Sequence, residues 1–209
     1  MISRLLPSYL LFFAVSSTAY SKTLSEVINL HRQEIQTRSD FGVPRFSREQ
    51  LQELQSGETV WQEQENTSGE TLLSIAGRVQ APPEAIWVAI LDDAHNGLSD
   101  RITEHQLTSS RSDRKRLYQH LSLPYPLSDR HWILEILSDT DLHQSSQGGV
   151  WRRAWRLDPQ GEESLERLNQ REKALIQSGV WTPENKGEWL ILPDGNTCWV
   201  LYRGRFDIG

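Results

Sequence analysis

Residues 115–137 read KRLYQHLSLPYPLSDRHWILEIL and contain two strand-like runs joined by a proline-rich corner. In the first run, Tyr118 and His120 share one parity and the leucines share the other. The corner at 124–126 ends this run, because proline lacks an amide donor and has a fixed φ. The second run, 131–137, is apolar on both parities, as is typical of a strand with core or cavity on both sides. We therefore expect two strands with a tight corner between them.

Three motifs in this chain occur in an order and at a spacing that resemble one family. The corner at 124–130 reads PYPLSDR, residues 79–87 read VQAPPEAIW and are followed by LDD at 91–93, and residues 187–197 read GEWLILPDGNT. They resemble the START-like domains of the helix-grip superfamily. In that family they correspond to a turn, to the end of the first long strand with the short first helix, and to the late hairpin. Together the motifs span roughly residues 59–209.

The resemblance implies an α+β helix-grip fold, in which a curved antiparallel sheet wraps around a short helix and encloses an apolar cavity. START-like domains close with a long C-terminal helix, whereas this sequence stops at 206–209, where that helix would begin. We therefore expect the C-terminal helix to be absent or truncated. An uncovered apolar face is unfavourable in a soluble monomer. The candidates to cover it are a predicted helix at 162–178, a predicted N-terminal helix at 23–38, and a partner chain.

Composition narrows the class of partner. The chain has 209 residues and a formal net charge of -6, which argues against nucleic acid, because phosphate binding relies on a basic surface. Eight tryptophans place large rigid rings in whatever core or cavity exists. The single cysteine, Cys198, cannot form an internal disulfide.

Residues 1–21 have the pattern of a secretory signal peptide, with Arg4 before an apolar run at 5–15. Ser17 and Ala19, or Ala19 and Ser21, have the spacing that a signal peptidase prefers, so two cleavage sites stay open. The apolar run is shorter than the ~18 residues of a membrane span. An uncleaved anchor is the alternative.

The expected organisation is a signal peptide at 1–21, an N-terminal helical segment at 22–57 and a START-like domain at 58–209. We expect a periplasmic or secreted protein with no stable transmembrane span after cleavage.

Local signals predict further elements. Ser47 and Gln50 form a capping-box pattern that begins a helix, and Pro82 with Pro83 suits the first turn of another. The other expected elements are hairpins at 58–80 and 186–206 (the second around Asp194-Gly195), strands at 101–110 and 150–157, and a turn at 144–149.

The strand at 150–157 places Trp151, Arg153 and Trp155 on one parity. If this face lines a cavity, the arginine could hold an anionic headgroup between aromatic walls; if it faces water, it is an ordinary stacked surface patch. With the resemblance, the candidate ligand-binding residues are Trp87, Tyr118, His120, Arg130, Trp132, Leu134, Trp151, Arg153, Trp155 and Tyr202.

The sequence contains no glycine-rich phosphate loop, nucleophile elbow, HExxH or CxxC motif. His105, His120 and His131 fall on predicted strands without a carboxylate at motif spacing, so we predict no metal site, no cofactor and no catalytic residue. The expected function is binding of a lipid or other hydrophobic small molecule. Two alternatives stay open: a cyclase- or dehydratase-type enzyme that uses Tyr118, His120, Glu135 or Arg153, and a protein-interaction module. The ligand and the oligomeric state are not predicted.

Overall fold

Nine strands form a single curved sheet in a computed structural model, which describes residues 21–65, 70–92, 101–111, 113–159, 161 and 165–207. The strands are β1 (Val60–Glu65), β2 (Thr71–Val79), β3 (Ile102–Arg111), β4 (Arg114–Leu121), β5 (Arg130–Ser138), β6 (Trp151–Leu157), β7 (Val180–Trp181), β8 (Glu184–Asp194) and β9 (Thr197–Asp207). Their order is β1-β2-β9-β8-β6-β5-β4-β3 with antiparallel neighbours, while β7 pairs in parallel with the start of β5. The predicted α+β class and curved antiparallel sheet are confirmed.

Six α-helices accompany the sheet in the described part of the chain. They are α1 (Leu24–Leu30), α2 (Arg32–Arg38), α3 (Arg48–Gln55), α4 (Pro83–Leu91), α5 (Thr140–Ser145) and α6 (Gln170–Ser178), and Leu165–Arg167 forms a 3₁₀ turn. No helix within the described ranges is long and apolar enough to span a membrane.

Side-chain caps explain where several helices begin. The predicted capping box of Ser47 and Gln50 starts α3, and equivalent boxes start α1 at Thr23 and α6 at Asn169. The predictions differ from the structure at three places. The helix expected over 23–38 is broken at His31, and the one expected over 162–178 is replaced by the 3₁₀ turn and α6. The helix α5 was not predicted, although Asp139 caps its first turn.

The sheet has an inner face, defined here as the one that carries α4, and an outer face that carries the other helices. On the inner face, Ile86 and Ile90 of α4 pack against Ile191 and Cys198. On the outer face, α1, α2 and α3 pack against the opposite side of β8 and β9, through a cluster that includes Leu24, Ile35, Leu54, Leu190, Leu192, Trp199 and Leu201. Helix α6 packs over β4 and β5, where Ile176 joins the cluster of Tyr118, Ile133 and Leu168.

This arrangement corrects one expectation. The N-terminal helices and the helix near 162–178 were candidates to cover the inner face, but both lie on the outer face. Side chains alternate between the two faces of a strand. The sheet residues that these helices contact, such as Leu201 and Tyr118, point away from α4. Neither group of helices therefore covers the inner face.

A buried ionic cluster fastens the N-terminal segment to the outer face. Glu188 is fully buried and accepts hydrogen bonds from Nε of Arg152 at 2.6 Å, from Arg203, and from the Ser39 hydroxyl at 2.8 Å. Arg152 also donates to Asp139 at 3.2 Å, the residue that caps α5. The carboxylate of Glu188 thus holds two arginines of the sheet and the chain that follows α2.

Replacement of Glu188 by glutamine should lower the free energy of unfolding by about 3–5 kcal/mol, because two buried guanidinium groups lose their shared carboxylate. Urea denaturation measures the change. The matched control is Glu135→Gln, at a partly exposed carboxylate that pairs with Arg114 and Arg156 and should cost at most about 1 kcal/mol. Equal effects of the two substitutions would contradict this account of Glu188.

Candidate ligand-binding site

An open groove of about 380 Å³ lies on the inner face over β2, β9 and β8. Its lining is mainly apolar and includes Ile75, Gly77, Val79, Trp189, Val200 and Tyr202. The strand register explains the lining, because Tyr202 pairs with Ile75 on one side and with Trp189 on the other. Val79 is 39% exposed, so solvent reaches this apolar surface.

An aromatic wall borders the groove around Tyr202. Its ring centroid lies 5.5 Å from that of Trp155 and 4.8 Å from that of Trp189, and it stacks with Phe206 at 6.3 Å. Burial raises the pKa of the Tyr202 hydroxyl, so this group stays neutral at physiological pH. The wall is therefore uncharged and largely apolar.

The Trp155 ring can lie over the neighbouring strand because its cross-strand partner is glycine. A Cβ atom at Gly187 would lie 2.2 Å from the Trp155 ring. The indole nitrogen donates to Oδ1 of Asn185 at 2.9 Å. The polar edge of Trp155 is thus satisfied within the protein.

Charged groups lie on the inner face beside the aromatic wall. Arg153 pairs in register with Trp189, is 5% exposed and donates to the carbonyl of Ile90 at the end of α4. Burial lowers the pKa of Arg153 to about 10, an effect that Glu104 partly offsets. Burial also raises the pKa of Glu104. Burial and the charge of Arg153 together lower the pKa of Lys115 to about 8. The inner face therefore combines an apolar surface with one buried and two half-buried charged groups at its side.

Most of the candidate residues from the sequence share this inner face. Trp151, Arg153 and Trp155 lie on it as a row along β6, and Trp87 of α4 packs 5.5 Å from Trp151. Trp132 and Leu134 pack together with Leu117 farther along the sheet. Arg130 begins β5 and donates to the carbonyl of Ser128 at 2.7 Å, at the predicted corner. Tyr202 is the member of the predicted set that lines the groove itself.

Tyr118 and His120 are separated from the groove, because alternation along β4 places them on the outer face. Tyr118 is fully buried beside Leu168 under α6. Nε2 of His120 lies 3.1 Å from Oδ2 of Asp129. Asp129 also accepts a hydrogen bond from the Leu123 amide at 2.9 Å and so fixes the corner.

Glu135 also lies on the outer face, in its ion pairs with Arg114 and Arg156. Within the described residues, no three His, Cys, Asp or Glu side chains are grouped so that they could hold a metal ion.

The residues that line the groove were largely missed from the sequence. The candidates did not include Ile75, Gly77, Val79, Trp189 and Val200. Val200 could have been included, because it lies two residues before Tyr202 in the same strand and therefore shares its face. The other lining residues can be identified only from the cross-strand register, which the alternation of residues within one strand does not supply.

Comparisons with known proteins identify the fold. No family model matches the chain, and no curated protein sequence matches it significantly. Among solved structures, human StAR-related lipid transfer protein 5 matches with a TM-score of 0.53 at 12% identity, over 88% of this chain and 82% of that one. The lipid transfer and protein localization domain of human StarD13 matches with a TM-score of 0.50 at 16% identity, over 78% of this chain and 85% of that one. The STAR-related lipid transfer protein of Xanthomonas axonopodis gives 0.49 at 16% identity, over 71% and 85%.

The protein therefore has a START-like helix-grip fold. The resemblance seen in the sequence motifs is confirmed at the level of the fold. In this fold the inner face is the one that α4 partly covers and that carries the groove.

His131, which is buried on the outer face, makes the stability of the protein depend on pH. Burial, with a contribution from His120, lowers the pKa of His131 to about 4, whereas the ordinary value near 6.5 applies in the unfolded chain. Between these values the unfolded state binds a proton that the folded state excludes, so stability falls as the pH falls through this window. His131→Gln should remove about 1.5 kcal/mol of the loss between pH 6.5 and 5.

Urea denaturation of both proteins at pH 6.5 and at pH 5 measures this effect. The expected result is that the stability of the wild type falls more steeply than that of His131→Gln. A stability difference between the two proteins that is the same at both pH values would show that His131 does not titrate in this window.

Proposed function

We propose that this protein binds a lipid or another hydrophobic small molecule on the inner face of its sheet, in the groove beside Tyr202. The observation that carries the proposal is the open apolar lining formed by Ile75, Val79, Val200 and the aromatic wall. Contiguous exposed apolar surface is unfavourable unless it serves binding. The groove volume of about 380 Å³ lies within the usual range of small-molecule sites, about 300–1,000 Å³.

The chemistry of the inner face suggests how such a ligand would be oriented. An apolar chain would lie along the groove against Tyr202 and Trp189, where its burial is favourable by about 0.8 kcal/mol per CH₂. A polar end would point towards Arg153 and Lys115, which lie on the same face beside the aromatic wall. The names of two solved structures with this fold, human StAR-related lipid transfer protein 5 and the StarD13 domain, refer to lipid transfer. They support the proposal by analogy of fold.

The alternative of a cyclase- or dehydratase-type enzyme has weaker support. Tyr118, His120 and Glu135, three of its four acid/base candidates, lie on the outer face and cannot reach a ligand in the groove. Arg153 alone of the four shares the inner face, and it is a poor proton carrier at neutral pH.

Export to the periplasm or the exterior is also part of the proposal, and it rests on the signal-peptide pattern of residues 1–21.

Mass spectrometry of the protein purified without detergent tests the proposed binding. Under native conditions we expect a mass that exceeds that of the chain, and under denaturing conditions we expect the chain together with a released hydrophobic species. A monomer that carries no ligand and does not bind added fatty acids, phospholipids or sterols would contradict the proposal. A dimer without ligand would favour the interaction module, with the inner face buried between copies.

Ile75→Glu should weaken ligand binding by at least about tenfold, or about 1.4 kcal/mol, because it places a charge in the apolar groove. Titration with a fluorescent fatty acid, followed through tryptophan emission, measures the affinity. The matched control is Val180→Glu, since Val180 is an exposed aliphatic residue of β7, away from the groove. Unchanged affinity in Ile75→Glu, with the protein still folded, would place the ligand elsewhere.

A further inference from the structure

The backbone of Lys22 is hydrogen-bonded to the sheet on both of its sides. The backbone nitrogen of Lys22 donates to Oδ1 of Asp194 at 3.2 Å, and its carbonyl accepts a hydrogen bond from Nε1 of Trp199 at 3.3 Å. The next residue, Thr23, begins α1 with a capping box. From Lys22 onward the chain is therefore held by the sheet and by its own helix cap.

The partner of Lys22 is a nearly buried carboxylate. The side chain of Asp194 is 6% exposed and forms an ion pair with Nη2 of Arg78 at 2.8 Å. The hydroxyl of Ser21 also donates to Oδ2 of Asp194 at 2.8 Å, and Arg78 contacts this hydroxyl as well. Asp194 lies at the turn between β8 and β9, and Arg78 borders the groove. A buried carboxylate of this kind favours charged donors over neutral ones.

We propose that the exported chain is cut between Ser21 and Lys22, and that the new α-ammonium group of Lys22 forms an ion pair with Asp194. The cut is a hydrolysis by the signal peptidase of the export machinery. Water adds across the peptide bond, Ser21 leaves with the new carboxylate, and Lys22 keeps the nitrogen as an ammonium. Ala19 and Ser21 then occupy the two positions that require small residues.

The contacts of Lys22 distinguish this site from the other site with suitable spacing, after Ala19. A cut after Ala19 places the new charge on Tyr20, two residues before the nitrogen that contacts Asp194. A cut after Ser21 places the charge on the contacting nitrogen itself. The hydroxyl of Ser21 is then lost, but the ammonium offers three N–H donors where the peptide offered one. Charge-assisted hydrogen bonds of this kind are roughly twice as strong as neutral ones.

The test begins with the full 209-residue chain, expressed in a bacterium that exports it. Intact mass and N-terminal sequencing of the exported product should give a chain that starts at Lys22. A start at Tyr20, or an uncut chain, would overturn the proposal. Ser21→Phe should abolish the start at Lys22, because the residue before the cut must be small. Ser17→Phe is the matched control, and it should leave the start at Lys22 unchanged.

The ion pair is tested separately from the cut. At pH 6, the product that starts at Lys22 should unfold about 2–4 °C higher than the product of Ser21→Phe that starts at Tyr20. This difference should vanish in an Asp194→Asn background, and it should shrink at pH 10, where an α-amino group with a pKa of about 8 is neutral. A difference that persists in the Asp194→Asn background and at pH 10 would overturn the role of Asp194. The cut rests on the export that is part of the proposed function, whereas groove binding is not involved in either readout, so a failure of groove binding would leave both results unchanged.

Discussion

The charge of Glu188 must be compensated inside the protein, and this constraint fixes how the two faces of the sheet are used. Arg152 and Arg203 satisfy the carboxylate from neighbouring strands, and Ser39 brings the chain after α2 to the same point. A buried carboxylate cannot remain charged without such partners. The N-terminal helices are therefore held on the outer face, where their leucines and isoleucines pack over β8 and β9. With the outer face occupied, α4 is the helix that packs on the inner face in the described part of the chain.

The incomplete cover of the inner face gives the protein its candidate site. Helix α4 packs over Ile191 and Cys198 and leaves the neighbouring strip of Ile75, Val200 and Tyr202 in an open groove. Aromatic rings border this strip, and glycine at position 187 lets Trp155 join the wall. The buried Arg153 and the half-buried Glu104 and Lys115 lie at one side of it. An apolar surface bordered by charged groups matches the chemistry of an amphiphile, and this match links the fold to the proposed function.

Local sequence signals predicted many of the elements but not their arrangement. The capping box of Ser47 and the Asp194-Gly195 turn act over a few residues, so they could be identified directly. The site was harder to predict, because β5 is apolar on both faces and its sequence does not indicate which of them belongs to the inner face of the sheet. Tyr118 and His120 were therefore placed in the cavity with Trp132, although alternation separates them from it. The ionic cluster was missed for a related reason: Glu188 lies 36 residues from Arg152 in sequence, and only the strand register brings them together.

Cross-linking with a photoreactive lipid tests whether a hydrophobic ligand occupies the inner face. The lipid is incubated with the protein, cross-linked, and located by peptide mapping. We expect labels on β2, β8 and β9 at inner-face positions such as Ile75, Val200 and Tyr202, and we expect excess unlabelled lipid to suppress this labelling. Saturable labelling confined to the outer-face helices, or no saturable labelling at all, would show that the ligand does not occupy the inner face.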